Sequence, residues 1–245
     1  GIYFLFVSML GAQVLLELGL SFTIAQYTSH EFAHLSWTKN HLLEGKEESI
    51  LKVFQIFKFA LVWYLFIGIM MLLLIFPIGM YFIESSNEAI VGKSVYIAWG
   101  TYVFFGSLNM VVNVQLVLIE ATGRVLEIAR IRLSQAILST IFIFSTLLYG
   151  GGVFALGLGL CAYVLIGLGW LHYRYSNFLG KIIPITTEII STFKEIISMQ
   201  WRIAISWAFG YLTFYTFTPM IFYFVGSVES GQYGMSMQIF VAINS

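Results

Sequence analysis

Five residues in QYTSHEFAHLSW have the types and order of a metalloprotease site: His30, Glu31 and His34 read H-E-x-x-H. On a helix, two histidines four apart share one face and can hold zinc, with the glutamate as general base. A zinc site of that kind needs a third protein ligand. The chain has no Asp at all, and its remaining histidines are His41 and His172. Glu44, Glu47, Glu48, Glu84 and Glu88 are the carboxylates available as a third ligand, and the first three lie in a lysine-containing loop with no second motif. The alternative is an interfacial motif, with the histidines at the negative end of a helix dipole and Glu31 solvated beside headgroups.

A second set of polar residues lies inside apolar runs, where ionisable groups are costly and mark functional positions. Glu17, in VLLELGLS, is the clearest, with Gln13 four residues before it on the same helical face and Gln26 beyond it. Either this face lines a water-filled cavity, with Glu17 binding a cation, a proton or a substrate group, or Glu17 is bonded structurally to a neighbouring helix. Asn109 and Asn113 repeat the spacing, with Gln115 and Glu120 following; amides so placed serve as glue between helices or line a cavity. Gln232 and Gln238 are further cavity candidates. Arg202 is placed to meet a phosphate or to snorkel to the headgroups. YGGGVFALGLGL has the glycines of a phosphate loop but no lysine, and reads as a tight turn with close helix packing.

The elements that must position these residues follow from composition. Of 245 residues, 59% are hydrophobic and 10% charged, against about 25% charged in soluble domains. Twelve basic and twelve acidic residues balance, which gives no reason to expect a polyanionic partner. The single cysteine, Cys161, forms no internal disulfide. Apolar runs at 2–27, 56–83, 95–119, 133–149, 153–172 and 203–225 are each long enough to span a bilayer, and a seventh starts at 232. Pro77 is expected to kink or end the second. Segments 28–52 and 174–200 are long enough for amphipathic surface helices, the latter with Ile189, Ile190, Phe193, Ile196 and Ile197 on one face and Glu188, Lys194 and Glu195 off it.

Basic residues alternate between the connections. Lys39, Lys46, Lys52 and Lys58 fall in or beside the first, and Lys93 alone in the second. Arg124, Arg130 and Arg132 fall in the third, none in the fourth. Arg174, Lys181, Lys194 and Arg202 fall in the fifth, and none in the sixth. This positive-inside pattern puts the first, third and fifth connections in the cytoplasm. The sequence opens GIYFLFVSML and closes QIFVAINS, both within apolar runs, and is expected to be a piece of a longer polytopic protein lacking one helix upstream.

Three stretches together resemble a known family. FLFVSMLGAQVLLELGLSFTIAQYTSHEFAHLSW resembles the second helix of bacterial polysaccharide transporters. These are the O-antigen-flippase-like members of the multidrug/oligosaccharidyl-lipid/polysaccharide exporter superfamily. VLIEATGRVLEIARIRLSQAI resembles their connection between helices four and five, and TPMIFYFVGSVESGQYGMSMQI the passage from helix seven to helix eight. The resemblance implies an all-α, polytopic membrane bundle, the N-terminal lobe of a MATE-like or flippase fold. Transmembrane helices would occupy 1–172, a cytoplasmic connection 173–202, and the first helices of a second lobe 203–245.

It implies a transporter, not an enzyme, without cofactor or metal. By alternating access it would move a polyprenyl-pyrophosphate-linked oligosaccharide across the bacterial cytoplasmic membrane, in contact with membrane lipids. Gln13, Glu17, Gln26, Asn109, Asn113, Arg202 and Gln232 are the cavity candidates. Family members often carry basic residues in the cavity, and none lies mid-span here, so the pyrophosphate site stays unassigned. A cation-coupled multidrug antiporter of the same superfamily is the alternative, with Glu17 as coupling residue; a membrane zinc protease is the alternative of another class.

Overall fold

The computed structural model describes residues 2–85, 92–182 and 189–244, with the side chains of residues 85, 182, 189–199, 202, 214, 241, 242 and 244 outside the description. The chain is an all-α bundle. Among the described residues, four helices are long and apolar enough to cross a membrane, and a fifth crossing is formed if a pair bent by 48° counts as one span.

That bent pair is the first run, expected as one helix over 2–27. It is instead α1 (Ile2–Gly11), α2 (Gln13–Glu17) and α3 (Leu20–Phe32). The main break is at Leu18 and Gly19, both left-handed, with φ of 50° and 74°. Two consecutive left-handed residues stop the helix, since the carbonyl of one turn no longer reaches the amide of the next.

Residues 28–52 do not form the expected surface helix. After α3 ends, Leu35–Trp37 (β1) and Leu43–Gly45 (β2) pair as an antiparallel hairpin. The Thr38 hydroxyl donates to the Leu42 carbonyl and accepts from the Leu42 amide, both at 3.0 Å. His41 adopts φ 54°, a conformation in which histidine is enriched. Such a turn competes with helix, and Trp37 supplies the tertiary reward.

The second run is longer than expected. Helix α4 (Glu47–Met70) passes through a π-helical turn (Met71–Ile75) into α5 (Phe76–Ser85). Pro77 does not end the run; it stands at the start of α5, just after the π-helical turn. It lacks an amide and crowds the carbonyl four residues back, and the widened turn just before it accommodates both. Gly79 lies flat on Trp99, whose indole donates to the Phe76 carbonyl at 3.0 Å; any Cβ there would collide with that ring.

Helix α6 (Lys93–Ala121) is central. It packs against α3, α4 and α8, and its apolar stretch is the most buried of the spanning helices. Helix α7 (Val125–Leu148) packs on α8 (Phe154–Ile182) and presents nearly all its other surface outward; only Ile128 and Gln135 are buried. Gln135 donates to the Tyr163 carbonyl at 2.9 Å, which ties the two helices. Leu133, Ile137, Ile141 and Phe144 are exposed and give α7 an apolar outer surface.

The run expected over 203–225 is also broken. It comprises α9 (Ile189–Phe214) and α10 (Phe217–Phe224), followed by α11 (Ser227–Asn244). A continuous helix would set Pro219 against the Tyr215 carbonyl; the break at 215–216 places the proline in a first turn, where a missing amide costs nothing. Glu188 lies outside the described residues, as do the side chains proposed for the apolar face that follows it.

The basic connections meet at one end of the bundle. The Trp37 indole donates to the Thr122 hydroxyl at 3.0 Å, and its ring contacts Tyr175 and Phe178 edge-on at 5.5 and 5.2 Å. Arg124 lies over the same ring at 5.7 Å. Glu127 receives Arg174 at 3.0 Å and Arg124 at 3.7 Å, and Arg132 pairs with Glu120 at 2.8 Å. The three connections that charge counting assigns to the cytoplasm are thus held together by one aromatic and ionic cluster.

Candidate functional site

The break in the first span carries the richest polar geometry. It divides the bent pair into two pieces of similar length, so where the pair crosses as one span the break falls near its middle. Irregular backbone at that depth is tolerated only where protein covers it or where it lines an aqueous cavity.

Glu17, the last residue of α2, accepts a hydrogen bond from the Tyr64 hydroxyl of α4 at 2.8 Å. Its carboxylate therefore turns toward the bundle, not into hydrocarbon. A hydrogen bond to a charged acceptor is worth about 1.5–3 kcal/mol net. Gln200 of α9 sits across the break. Its amide nitrogen donates to the Leu18 carbonyl and its oxygen accepts from the Thr23 hydroxyl, both at 2.6 Å. Thr23 is fully buried and Gln200 nearly so. One side chain thus satisfies a carbonyl freed by the break and the first buried hydroxyl beyond it.

Two clefts run along this seam. One, of about 200 Å³, is lined by Glu17, Phe59, Trp63, Gln200 and Trp201 among others. The other, of about 260 Å³, lies between α2 and α9 and includes Val14, Ser206, Trp207 and Tyr215. Tyr215, at the second break, covers Gly11 at the end of α1, so the two interrupted runs lie side by side.

The other expected residues are dispersed. Gln13 is half-buried at the start of α2, on the same short helix as Glu17. Gln26 is exposed on α3, and the break separates it from Glu17's face. On α6, Asn109 is half-buried with its side-chain oxygen buried and unbonded, while Asn113 is exposed. Gln232 and Gln238 are exposed on α11. Neither Asn109, Asn113 nor Gln232 lines either cleft. The side chain of Arg202 lies outside the described residues.

The H-E-x-x-H residues do not share a helical face. Helix α3 ends at Phe32, so His34 stands beyond it, in the turn before β1. Glu31 lies 3.7 Å from Lys52 and 3.9 Å from His30. Among the described residues, no three of His, Cys, Asp and Glu group closely enough to hold a metal ion. Glu88 lies outside them.

Sequence reading missed Tyr64, Thr23 and Gln200. The available signal for Gln200 was an amide just before the apolar run WRIAISWAFGYL, and for the break, the LG step after Glu17. No protein-family model, curated protein or solved structure matches the chain.

Proposed function

We propose that this chain belongs to a membrane carrier, a flippase that moves a lipid-linked oligosaccharide or polysaccharide precursor across the bacterial cytoplasmic membrane. The observation that carries the carrier reading is the interrupted first span. A helix broken at mid-depth, with a carboxylate at the end of one half and an amide from a distant helix bridging the gap, is how transporters build binding sites in a bilayer. The cargo rests on the resemblance of the VLLELGLS, VLIEATGR and TPMIFYF stretches to polysaccharide transporters. The exposed apolar face of α7 and the basic cluster at one end agree with an embedded, oriented bundle.

In this reading the helices up to α8 form one lobe of a MATE-like fold, and α9 to α11 begin the other. Gln200 and Tyr215 then lie at the contact between lobes, where alternating access requires bonds that break and reform. The test is complementation. The full open reading frame that contains this chain should restore surface polysaccharide to a bacterial strain lacking its own flippase. Failure to do so, with the protein present in the membrane, would remove the flippase reading. The second reading, a cation-coupled antiporter, is favoured by Glu17 lining an aromatic cleft. Efflux of organic cations by reconstituted protein, lost in Glu17→Gln, would establish it.

A further inference from the structure

Four arginines have described side chains, and three of them are paired at the basic end of the bundle. Arg124 and Arg174 share Glu127, and Arg132 meets Glu120. Arg130 is the exception. Its backbone carbonyl accepts from the Ser134 hydroxyl at 3.0 Å, but its guanidinium has no partner among the described residues. Leu126, Arg130, Leu133, Ile137, Ile141 and Phe144 follow at steps of three and four, so they share one face of α7. All six are exposed. Arg130 is thus the one charge in an apolar outer stripe, and Leu126, 66% exposed, continues that stripe past it toward the helix start.

The depth of the arginine follows from the helix. Tyr149, 92% exposed, stands at the other end of α7. From Arg130 to Tyr149 the helix rises roughly 28 Å, close to the ~30 Å of a hydrocarbon core. With the tyrosine at one interface, where that residue is enriched, the guanidinium falls at the other. There its planar donors meet lipid phosphates. A zwitterionic headgroup brings its own cation to its phosphate; an anionic headgroup leaves a charge for an unpaired guanidinium to meet.

We propose that this face of α7 binds the headgroup of an anionic phospholipid at Arg130, with the acyl chains along Leu133 and Ile137. The site lies at the end of the bundle that charge counting assigns to the cytoplasm. It requires α7 to cross a membrane and does not depend on which cargo the carrier moves.

The experiment is native mass spectrometry of the purified protein in detergent, titrated with phosphatidylglycerol or phosphatidylethanolamine. The first phosphatidylglycerol should bind at least about fivefold more tightly, as one arginine near an anionic headgroup provides. Arg130→Gln should abolish that preference, and Arg130→Lys should keep it within about twofold. Lys181→Gln removes the same charge from the same end and should leave the preference nearly unchanged. In lipid-free micelles Arg130→Gln should unfold like the parent, because the side chain has no protein partner to lose. In vesicles a photoreactive phosphatidylglycerol should label the segment 126–133.

Equal binding of the two lipids, or Arg130→Gln with the preference intact, would overturn the site. An equal loss in Lys181→Gln would show diffuse attraction instead, and displacement by excess inorganic phosphate a free-anion site. Destabilisation of lipid-free Arg130→Gln, or an unlabelled 126–133 segment, would show that protein covers this face. Lipid binding is read without cargo, so its failure leaves the flippase reading to the complementation test.

Discussion

Replacing Gln200 by Leu tests whether the first span is held in its broken form by α9. The substitution nearly conserves volume, so the cavity contribution is small. It removes the two 2.6 Å bonds to the Leu18 carbonyl and the Thr23 hydroxyl. Each is worth about 0.5–1.5 kcal/mol net, and leaving a buried partner unbonded costs about 1–3 kcal/mol. The hydroxyl has a partial escape, since it can turn to the carbonyl one helical turn back. The expected loss is therefore about 2–4 kcal/mol.

Thr23→Val alone removes one bond and strands one acceptor of an otherwise bonded amide, for about 1 kcal/mol. In the Thr23→Val background, Gln200→Leu strands only the Leu18 carbonyl. The two losses should then be non-additive by roughly 1 kcal/mol. The assay is reversible unfolding of the four proteins of this cycle in mixed micelles. Losses below about 0.5 kcal/mol for Gln200→Leu, or strict additivity, would refute the reasoning.

Three further outcomes are expected. Gly19→Ala should destabilise by more than about 2 kcal/mol in the same assay, because it adds left-handed strain of about 1–2 kcal/mol to a collision with the Trp207 indole. Burial, with help from Arg174 and Arg124 and against Glu127, holds the His41 imidazole below its ordinary value. Its contribution to hairpin stability is full above about pH 6.5 and declines as pH falls through the lowered folded-state value. Amides of residues 35–45 should therefore exchange faster at about pH 5.5 than at about pH 7.5 after correction for intrinsic rates, and His41→Gln should flatten the difference. Trp37→Ala should loosen the same hairpin by about 2 kcal/mol, roughly half the cost at a fully buried site, and speed cleavage at Lys39 by added protease.

Long apolar runs bounded by charges made the spanning helices legible. Helices α6, α7 and α8 contain the expected cores and extend past them, because Glu127, Arg130 and Arg132, or Arg174 and Lys181, continue a helix into the headgroup region without interrupting its backbone. The breaks were not legible in the same way. Hydropathy averages over Leu18 and Gly19, which are apolar or small, while the interruption depends on backbone angles and on a bond from a residue 182 positions away. The hairpin was missed for a related reason: three-residue strands are too short for an alternation signal, and docking of Trp37 onto Tyr175 and Phe178 decides the matter. At the candidate site, Glu17 was readable as a charge in an apolar run. Its partners Tyr64 and Gln200 were not, because each is an ordinary residue until the fold brings it to the break.

The central claim is that the interruption beside Glu17 lines a hydrated vestibule. Cysteine accessibility in proteoliposomes tests it most directly. In a Cys161→Ser background, Leu16→Cys, on the wall of the Glu17 cleft, should react with a membrane-impermeant maleimide, while Ile141→Cys, on the outward face of α7, should not. If Leu16→Cys stays as unreactive as Ile141→Cys, the break is dry and the account is wrong.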